Sequence, residues 1–354
     1  MLPFCDCHCH TVDFRQTGIN LSDLIGVMDE SNIRYAAVFG LPLKIHGDAN
    51  EKADACYYTI GDSRVNYWPA TDRILLDQLD ELPLRSRTRL FPFLCGFIPT
   101  DMYCLEGIEE TFNRAPDVWA GIGEIILRHD KLTWKTEMET ARADHPAMRG
   151  VYDFAAERDL PVLLHSNIGT DDNERKLDSN PVYVRELRTA LENHPKARFI
   201  WAHAGVSYGI SFDRIPDIVG GLLAEFDNLW IDLSWDVFLQ KQLKKQEATQ
   251  HWLDLINKYD SRFMIGTDAV GKSGIEKYAS IVLEYRNVIS GLETDAQRKV
   301  GFQNFLDVLP KKMRPHASLQ RSNQSENING DSVKASTNKG AGWWKMLRSK
   351  MLAN

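Results

Sequence analysis

The 354-residue chain lacks any apolar run near the roughly 20 residues that cross a bilayer. It also lacks a basic, apolar leader. Asp6 and His8 interrupt the first apolar residues, so no secretory signal is expected. Cysteine is sparse, six in all, and no C-x-x-C pair occurs, which argues against a disulfide scaffold and against a cysteine zinc finger. These absences together set the expectation of reduced thiols and a cytoplasmic location. No G-x-G-x-x-G follows the first apolar run, which weakens a dinucleotide-binding reading. Positive charge is short over most of the chain. The formal net charge is −7, yet Lys311 to Asn354 hold nine Lys and Arg against Glu326 and Asp331, which leaves residues 1–310 at −14. So acidic a body is a poor non-specific partner for nucleic acid.

What is present is a rhythm. Eight short apolar, β-branched or aromatic runs read as strands: "PFCDCHC" (3–9), "YAAVFG" (35–40), "LFPFLCGFI" (90–98), "WAGIGEII" (119–126), "PVLLHS" (161–166), "RFIWAHA" (198–204), "LWIDLS" (229–234) and "RFMIGTD" (262–268). Between most of them lie helix-like patterns, at 21–32, 148–159, 181–194 and 275–292, with apolar residues at i, i+3 and i+4. A last helix over 294–309 begins at a Thr294/Gln297 capping box and stops at Pro310. Buried strands alternating with helices predict a parallel sheet, and eight such units predict a (β/α)8 TIM barrel over residues 1–312. An open doubly wound sheet is the alternative. Residues 41–89 form an insertion after strand 2, read either as a lid or as a packed subdomain.

Residues 313–342 have a Ser/Asn/Gly-rich composition that predicts a disordered linker. Residues 343–354 read as a short basic amphipathic helix, with Trp343, Trp344, Leu347 and Met351 on one side and Lys345 and Arg348 flanking. Such a flexible basic C-terminal tail suits an anionic membrane surface or a partner protein, or folds back on the barrel.

The chemistry concentrates in "CDCHCH", Cys5 to His10. Period-two alternation puts His8 and His10 on one face with Asp6 below them, and turns Cys5, Cys7 and Cys9 to the other. Glu124, His165, His203 and Asp268 fall near the C-terminal ends of strands four, five, six and eight. That end of a barrel is where active sites are built. A lone histidine is more often a hydrogen-bonded core residue, but a set spread over five strand ends calls for a common purpose. All six are hard or borderline ligands suited to zinc or a similar divalent metal. Arg128, His129, Tyr208, Trp235, Lys44 and His46 follow strand ends and are candidate substrate contacts. Asp232 lies within strand seven and is a candidate to orient a ligand.

This order of residues resembles the amidohydrolase superfamily of metal-dependent barrel hydrolases over about residues 3–310. "DCHCH", "LLHSN", "WAHAG" and "IGTDA" look most like its amidohydrolase-2 branch, and "GIGEII" looks like the glutamate segment of the TatD-type branch. "GFQNFLDVL" (301–309) loosely resembles the family's Asn-containing last helix. Many superfamily members bridge two metals with a carboxylated lysine on strand four. "WAGIGEII" has none, so the resemblance implies Glu124 as the bridge, or no bridge. It implies one or two divalent ions, zinc foremost: His8, His10 and Asp268 on the more buried one, His165 and His203 on a second. Asp268 then handles the proton of a metal-activated water, and His203 is either a ligand or the electrophile facing the oxyanion. The reaction implied is hydrolysis of an amide, ester or lactone-type bond of a small molecule. The alternatives are a one-zinc decarboxylase, a TatD-like phosphodiesterase or nuclease, and a non-catalytic binding barrel. A homo-oligomer is left open.

Overall fold

The computed structural model describes residues 2–47, 64–170, 181–207, 214–243 and 246–315. In chain order the strands are β1 (Phe4–Val12), β2 (Ile33–Gly40), β3 (Leu43–Ile45), β4 (Val65–Tyr67), β5 (Leu90–Leu94), β6 (Gly121–Ile126), β7 (Pro161–His165), β8 (Arg198–Trp201), β9 (Leu229–Asp232), β10 (Phe263–Met264) and β11 (Ala269–Val270). The helices are α1 (Leu21–Glu30), α2 (Thr71–Glu81), α3 (Leu84–Arg87), α4 (Cys104–Arg114), α5 (Asp130–Thr133), α6 (Pro146–Glu157), α7 (Val182–Asn193), α8 (Ile215–Glu225), α9 (Asp236–Gln242), α10 (Gln246–Lys258), α11 (Gly271–Ile289), α12 (Thr294–Arg298) and α13 (Asn304–Val308).

Nine strands form one sheet in the order β10-β9-β8-β7-β6-β5-β2-β1-β11, with every pairing parallel. Its two outermost members belong to a single stretch of chain, residues 263–270. The first half of that stretch pairs with β9 and the second half with β1. Between them Cys7 N–H donates to the Ile265 carbonyl (3.0 Å) and Asp268 N–H to the His8 carbonyl (2.8 Å). The sheet therefore curls until its ends share one strand, and the eight-stranded barrel expected from the sequence is the fold observed.

Two apolar layers separate inside from outside. One cluster draws on the strands and the last helix: Tyr35, Ala37, Phe39, Phe93, Leu163, Met264, Phe305 and Leu306 belong to it. Among the described residues no other α-helix contributes to it, and this is the barrel interior. The other cluster joins strand residues such as Ala36 and Val38 to helical ones such as Leu24, Leu75 and Tyr278.

Residues Phe305 to Leu309 plug the barrel floor. Asn304 Nδ2 ties the plug down by donating to the carbonyls of Asp260 and Phe263, each at 2.7 Å. The expected single helix over 294–309 is broken by a π-helical stretch, Lys299–Gln303. The Thr294/Gln297 capping box does not form. Glu293 precedes the helix, and the Gln297 amide donates to the Leu292 carbonyl at 2.8 Å.

The long connection after β2 holds an antiparallel hairpin, β3–β4, before α2. Leu43, Ile45, Val65 and Tyr67 of the hairpin pack on Phe14, Leu41, Ile126 and Leu132 at the mouth of the barrel. Residues 1–314 form one compact unit. Of the linker and basic helix expected over 313–354, residues 316–354 lie outside the described residues. Among the described residues no helix is long and apolar enough to cross a membrane.

Candidate active site

β1 carries the first surprise. Its pairing with β2 slips between Asp6 and Cys9: Asp6 faces Ala36, whereas Cys9 faces Val38, so three steps on one strand match two on the other. This bulge breaks strict alternation. Cys5 and Cys7 point into the interior cluster, and Cys9 alone joins the outer one. His8 and His10 still face inward, since both rings lie edge-on to the interior Phe39, with centroids 4.9 and 4.7 Å away. The expectation that all three cysteines turn outward is corrected for two of them.

Asp6 is corrected too. It does not lie below the histidine rings. Its Oδ1 accepts the N–H groups of His8 (3.0 Å) and Thr267 (2.9 Å), and its Oδ2 accepts the Thr267 hydroxyl (2.7 Å). It therefore clamps the main chain of β1 to the eighth strand. Burial pushes its carboxyl up to about 6, against the pull of those hydrogen bonds.

The inward rings meet a carboxylate pair. His8 Nε2 and His10 Nε2 are 3.1 Å apart. Asp268 Oδ1 lies 3.4 and 3.2 Å from them, and Glu124 Oε2 lies 3.6 and 3.3 Å from them. A tetrahedral ion with bonds near 2.05 Å needs ligand atoms about 3.3 Å apart. The five separations straddle that value.

Glu124 Oε1 points the other way, 3.0 Å from His165 Nδ1 and 3.4 Å from His203 Nε2. The residue before Glu124 has to be glycine. Gly123 has φ 130°, and a side chain there would sit 2.4 Å from the Leu163 carbonyl oxygen. Left-handed backbone recurs at the ends of the later strands: His203 (φ 58°), Trp235 (φ 85°) and Asp268 (φ 52°). Non-glycine residues held this way gather where function over-determines them.

Proton positions follow from the partners. His10 Nδ1 faces the Gly40 carbonyl at 3.2 Å, His203 Nδ1 the Ser234 carbonyl at 3.2 Å, and His8 Nδ1 the Asp232 carboxylate at 2.7 Å. These partners only accept, so all three rings carry the proton on Nδ1. In the neutral rings the Nε2 lone pairs face carboxylate oxygens, an arrangement that is repulsive until a cation, either a proton or a metal ion, sits between. The donor set thus fits a divalent ion. Burial alone disfavours a charged His8, but Glu124 and Asp232 outweigh it and hold its pKa well above the usual range. The same negative field attracts a metal.

The pocket above this cluster is small, a cavity of about 30 Å³. Its polar side is His10, Glu124, His129, His165, His203 and Asp268, and its other side is Phe14, Leu41, Ile126, Leu132, Trp235 and Val270. His129 stacks on His165, with centroids 4.4 Å apart, and burial, then the His165 imidazole beside it, push its pKa well down.

Three other candidates are placed elsewhere. The Arg128 guanidinium forks onto Glu186 and covers the Tyr183 ring at 4.4 Å, so it is not a pocket wall. Lys44 Nζ sits over Trp68 at 4.4 Å, and His46 is exposed beyond β3. Neither lines the pocket. Tyr208 lies outside the described residues.

Sequence reasoning passed over Ser234 and Asn167, and it turned Cys7 to the wrong face. The Ser234 hydroxyl bridges Asp232 and His203, Asn167 Oδ1 meets His165 Nε2 at 3.2 Å, and the Cys7 thiol donates to Asp232 Oδ1 at 3.2 Å. Only the D-x-S spacing at the end of β9 hinted at the first.

The fold and site define a barrel protein whose strand ends gather imidazoles and carboxylates around a cation-sized gap. The family model described as Amidohydrolase matches residues 127–309, more than half of the chain, and the chain belongs to this family. His8, His10 and Glu124 fall before the matched span, so their convergence is a finding of the structure. Similar solved structures include a probable 2-pyrone-4,6-dicarboxylic acid hydrolase from Acinetobacter baumannii with citric acid bound, at TM-score 0.56 and 12% identity over 87% of this chain and 99% of that one. A dihydroorotase from Campylobacter jejuni is similar at TM-score 0.51 and 13% identity over 86% and 82%. An uncharacterised TIM-barrel protein from Bordetella bronchiseptica is similar at 0.51 and 12% over 87% and 98%. At such identities these likenesses speak to the fold alone. The search of curated proteins found no match.

Proposed function

We propose that this chain is a metal-dependent hydrolase that cleaves an amide, ester or lactone-type bond of a small molecule. The observation that carries the reading is the Glu124 carboxylate, with one oxygen toward His8 and His10 and the other toward His165 and His203. In this reading His8, His10 and Asp268 would hold one ion, and Glu124 with His203 would serve a second. A divalent ion there supplies a Lewis acid for the scissile carbonyl and makes water a nucleophile near neutral pH.

The chain's own groups do the rest. The Asp268 side chain is 12% exposed, against 2% or less for Glu124, His8 and His10. It is the carboxylate placed to take the proton of the attacking water and return it to the leaving group. His203 has its Nδ1 proton committed to Ser234, so its neutral ring has none on Nε2 to offer an oxyanion. That favours the ligand role over the electrophile role. His165 has both ring nitrogens engaged, by Glu124 and Asn167, and orients Glu124. His129 and Trp235 stand in the pocket wall, where a bound substrate would meet them.

Elemental analysis of protein grown with zinc or manganese, paired with a panel of esters, lactones and amides, tests the proposal. Two ions per chain and at least a tenfold weaker metal affinity in Glu124→Gln support it. One ion, indifferent to Glu124→Gln, points to the one-zinc lyase instead. No bound metal, with Asp268→Ala changing nothing measurable, ends the enzyme reading.

A further inference from the structure

Four buried donors converge on one carboxylate beneath the pocket. Asp232, at the end of β9, accepts the Cys7 thiol (3.2 Å) and the Ser234 N–H (2.7 Å) on Oδ1. On Oδ2 it accepts His8 Nδ1–H (2.7 Å) and the Ser234 hydroxyl (2.8 Å). The Ser234 oxygen in turn lies 2.9 Å from His203 Nδ1. Here elimination settles the protons. The ionised carboxylate only accepts, so Ser234 gives its single hydroxyl proton to Asp232. Its oxygen is then left to accept from His203, alongside its own carbonyl.

We propose that Ser234 is a positioning residue of this site, whose hydroxyl couples the His203 ring to the His8 ring through Asp232. One buried carboxylate then helps orient histidines from the first and sixth barrel strands, while the Ser234 carbonyl already favours the His203 Nδ1 proton. His8 is held directly, and His203 is held through one hydroxyl. The two rings are neighbours, with centroids 5.0 Å apart, and they meet different oxygens of Glu124, His8 at 3.6 Å from Oε2 and His203 at 3.4 Å from Oε1. Ser234 touches neither carboxylate oxygen of Glu124 and supplies no ligand. Its place is to hold His203 Nε2 bare and aimed at the centre. Chains of this kind strengthen in a buried, low-dielectric setting, and outer partners of a ligating histidine commonly tune metal affinity by about 10–100-fold. The consequence for metal binding rests on the functional reading above, whereas the proton arrangement stands without it.

Two measurements on the full-length chain test this. The first uses ring-nitrogen NMR of the metal-free protein. His203 is expected with its proton on Nδ1 in the wild type, and Ser234→Ala is expected to shift that resonance. A His203 protonated on Nε2, or an unmoved Nδ1 signal in the variant, overturns the coupling.

The second titrates cobalt(II) alone into metal-stripped protein. Ser234→Ala is expected to weaken binding about tenfold, and to cause no further loss in a His203→Asn background. An equal loss in both backgrounds assigns Ser234 to packing and overturns the proposal. If Ser234→Ala does not fold by circular dichroism, Ser234→Cys, of similar volume and a weaker donor, enters the same cycle. A wild type that binds no cobalt would sink the metal reading, and the NMR result would still decide the coupling.

Discussion

Cys7 and His8 are neighbours in the chain, and both reach the barrel interior, which a regular strand forbids. The bulge between Asp6 and Cys9 allows it, and it gives the two residues different work. His8 turns Nε2 toward Glu124 and Asp268, while Cys7 lies lower, in the apolar cluster, with its thiol on Asp232. His8→Ala is therefore expected to strip the metal. Cys7→Ala should cost about 1 kcal/mol of stability and leave metal content within a few-fold of wild type. Elemental analysis and chemical denaturation of the two variants check this pair. The bulge itself was hidden in the sequence, because nothing in "CDCHCH" marks where alternation slips. It arises from register against β2, a relation between segments.

At the scale of elements, the β3–β4 hairpin forms the back of the pocket's apolar wall. It is tied down by Tyr67, whose hydroxyl donates to the Ile126 carbonyl at 2.9 Å, just where the fourth barrel strand ends. Burial pushes that hydroxyl's pKa far above its normal value, so it stays a donor at any physiological pH. Tyr67→Phe should cost about 0.5–1.5 kcal/mol, since the ring's burial survives and one hydrogen bond is lost. Amide exchange by mass spectrometry should quicken in β3 and β4 and stay unchanged in β1. The aromatic-rich connection was legible as something beyond a plain loop. Its outcome, a hairpin whose Lys44 covers Trp68 instead of lining the pocket, was not, because loop contacts depend on what the barrel mouth presents.

Across the whole molecule, pH acts in two opposite ways. Metal binding must displace the proton from His8, whose carboxylate surroundings raise its pKa. Affinity is expected to climb with pH through the neutral range, about tenfold per unit for each proton displaced. Cobalt titrations at a series of pH values would show a flat profile if no proton is released. Asp72 works on the fold. Its carboxylate, at the start of α2, accepts the N–H groups of Cys95 (3.0 Å) and Gly96 (2.9 Å) after the third barrel strand. Burial raises its pKa from 3.8 to about 6, against those bonds. A raised carboxyl favours the protonated folded state, so its contribution is whole below pH 3.8 and is lost as pH rises through 6. The stability gap between wild type and Asp72→Asn should thus shift by up to about 3 kcal/mol over that window. Denaturant midpoints for both proteins at pH 4 and pH 7 measure it.

The sequence by itself determined the eight strands, their alternation with helices, and which ligand-type residues stand at strand ends, and it favoured the barrel over an open sheet. It could do so because apolar periodicity is local, and the barrel converts position along a strand into position in space. His8, His10, Glu124, His203 and Asp268 were readable for that reason. Only the tertiary structure decided the faces of the cysteines, the withdrawal of Arg128 onto Glu186, and the sharing of Asp232 by two histidines. Each of those depends on register, on a left-handed turn such as that at His203, or on which donor reaches a buried acceptor first. These are properties of pairs of segments, and the residues of one segment do not encode them alone.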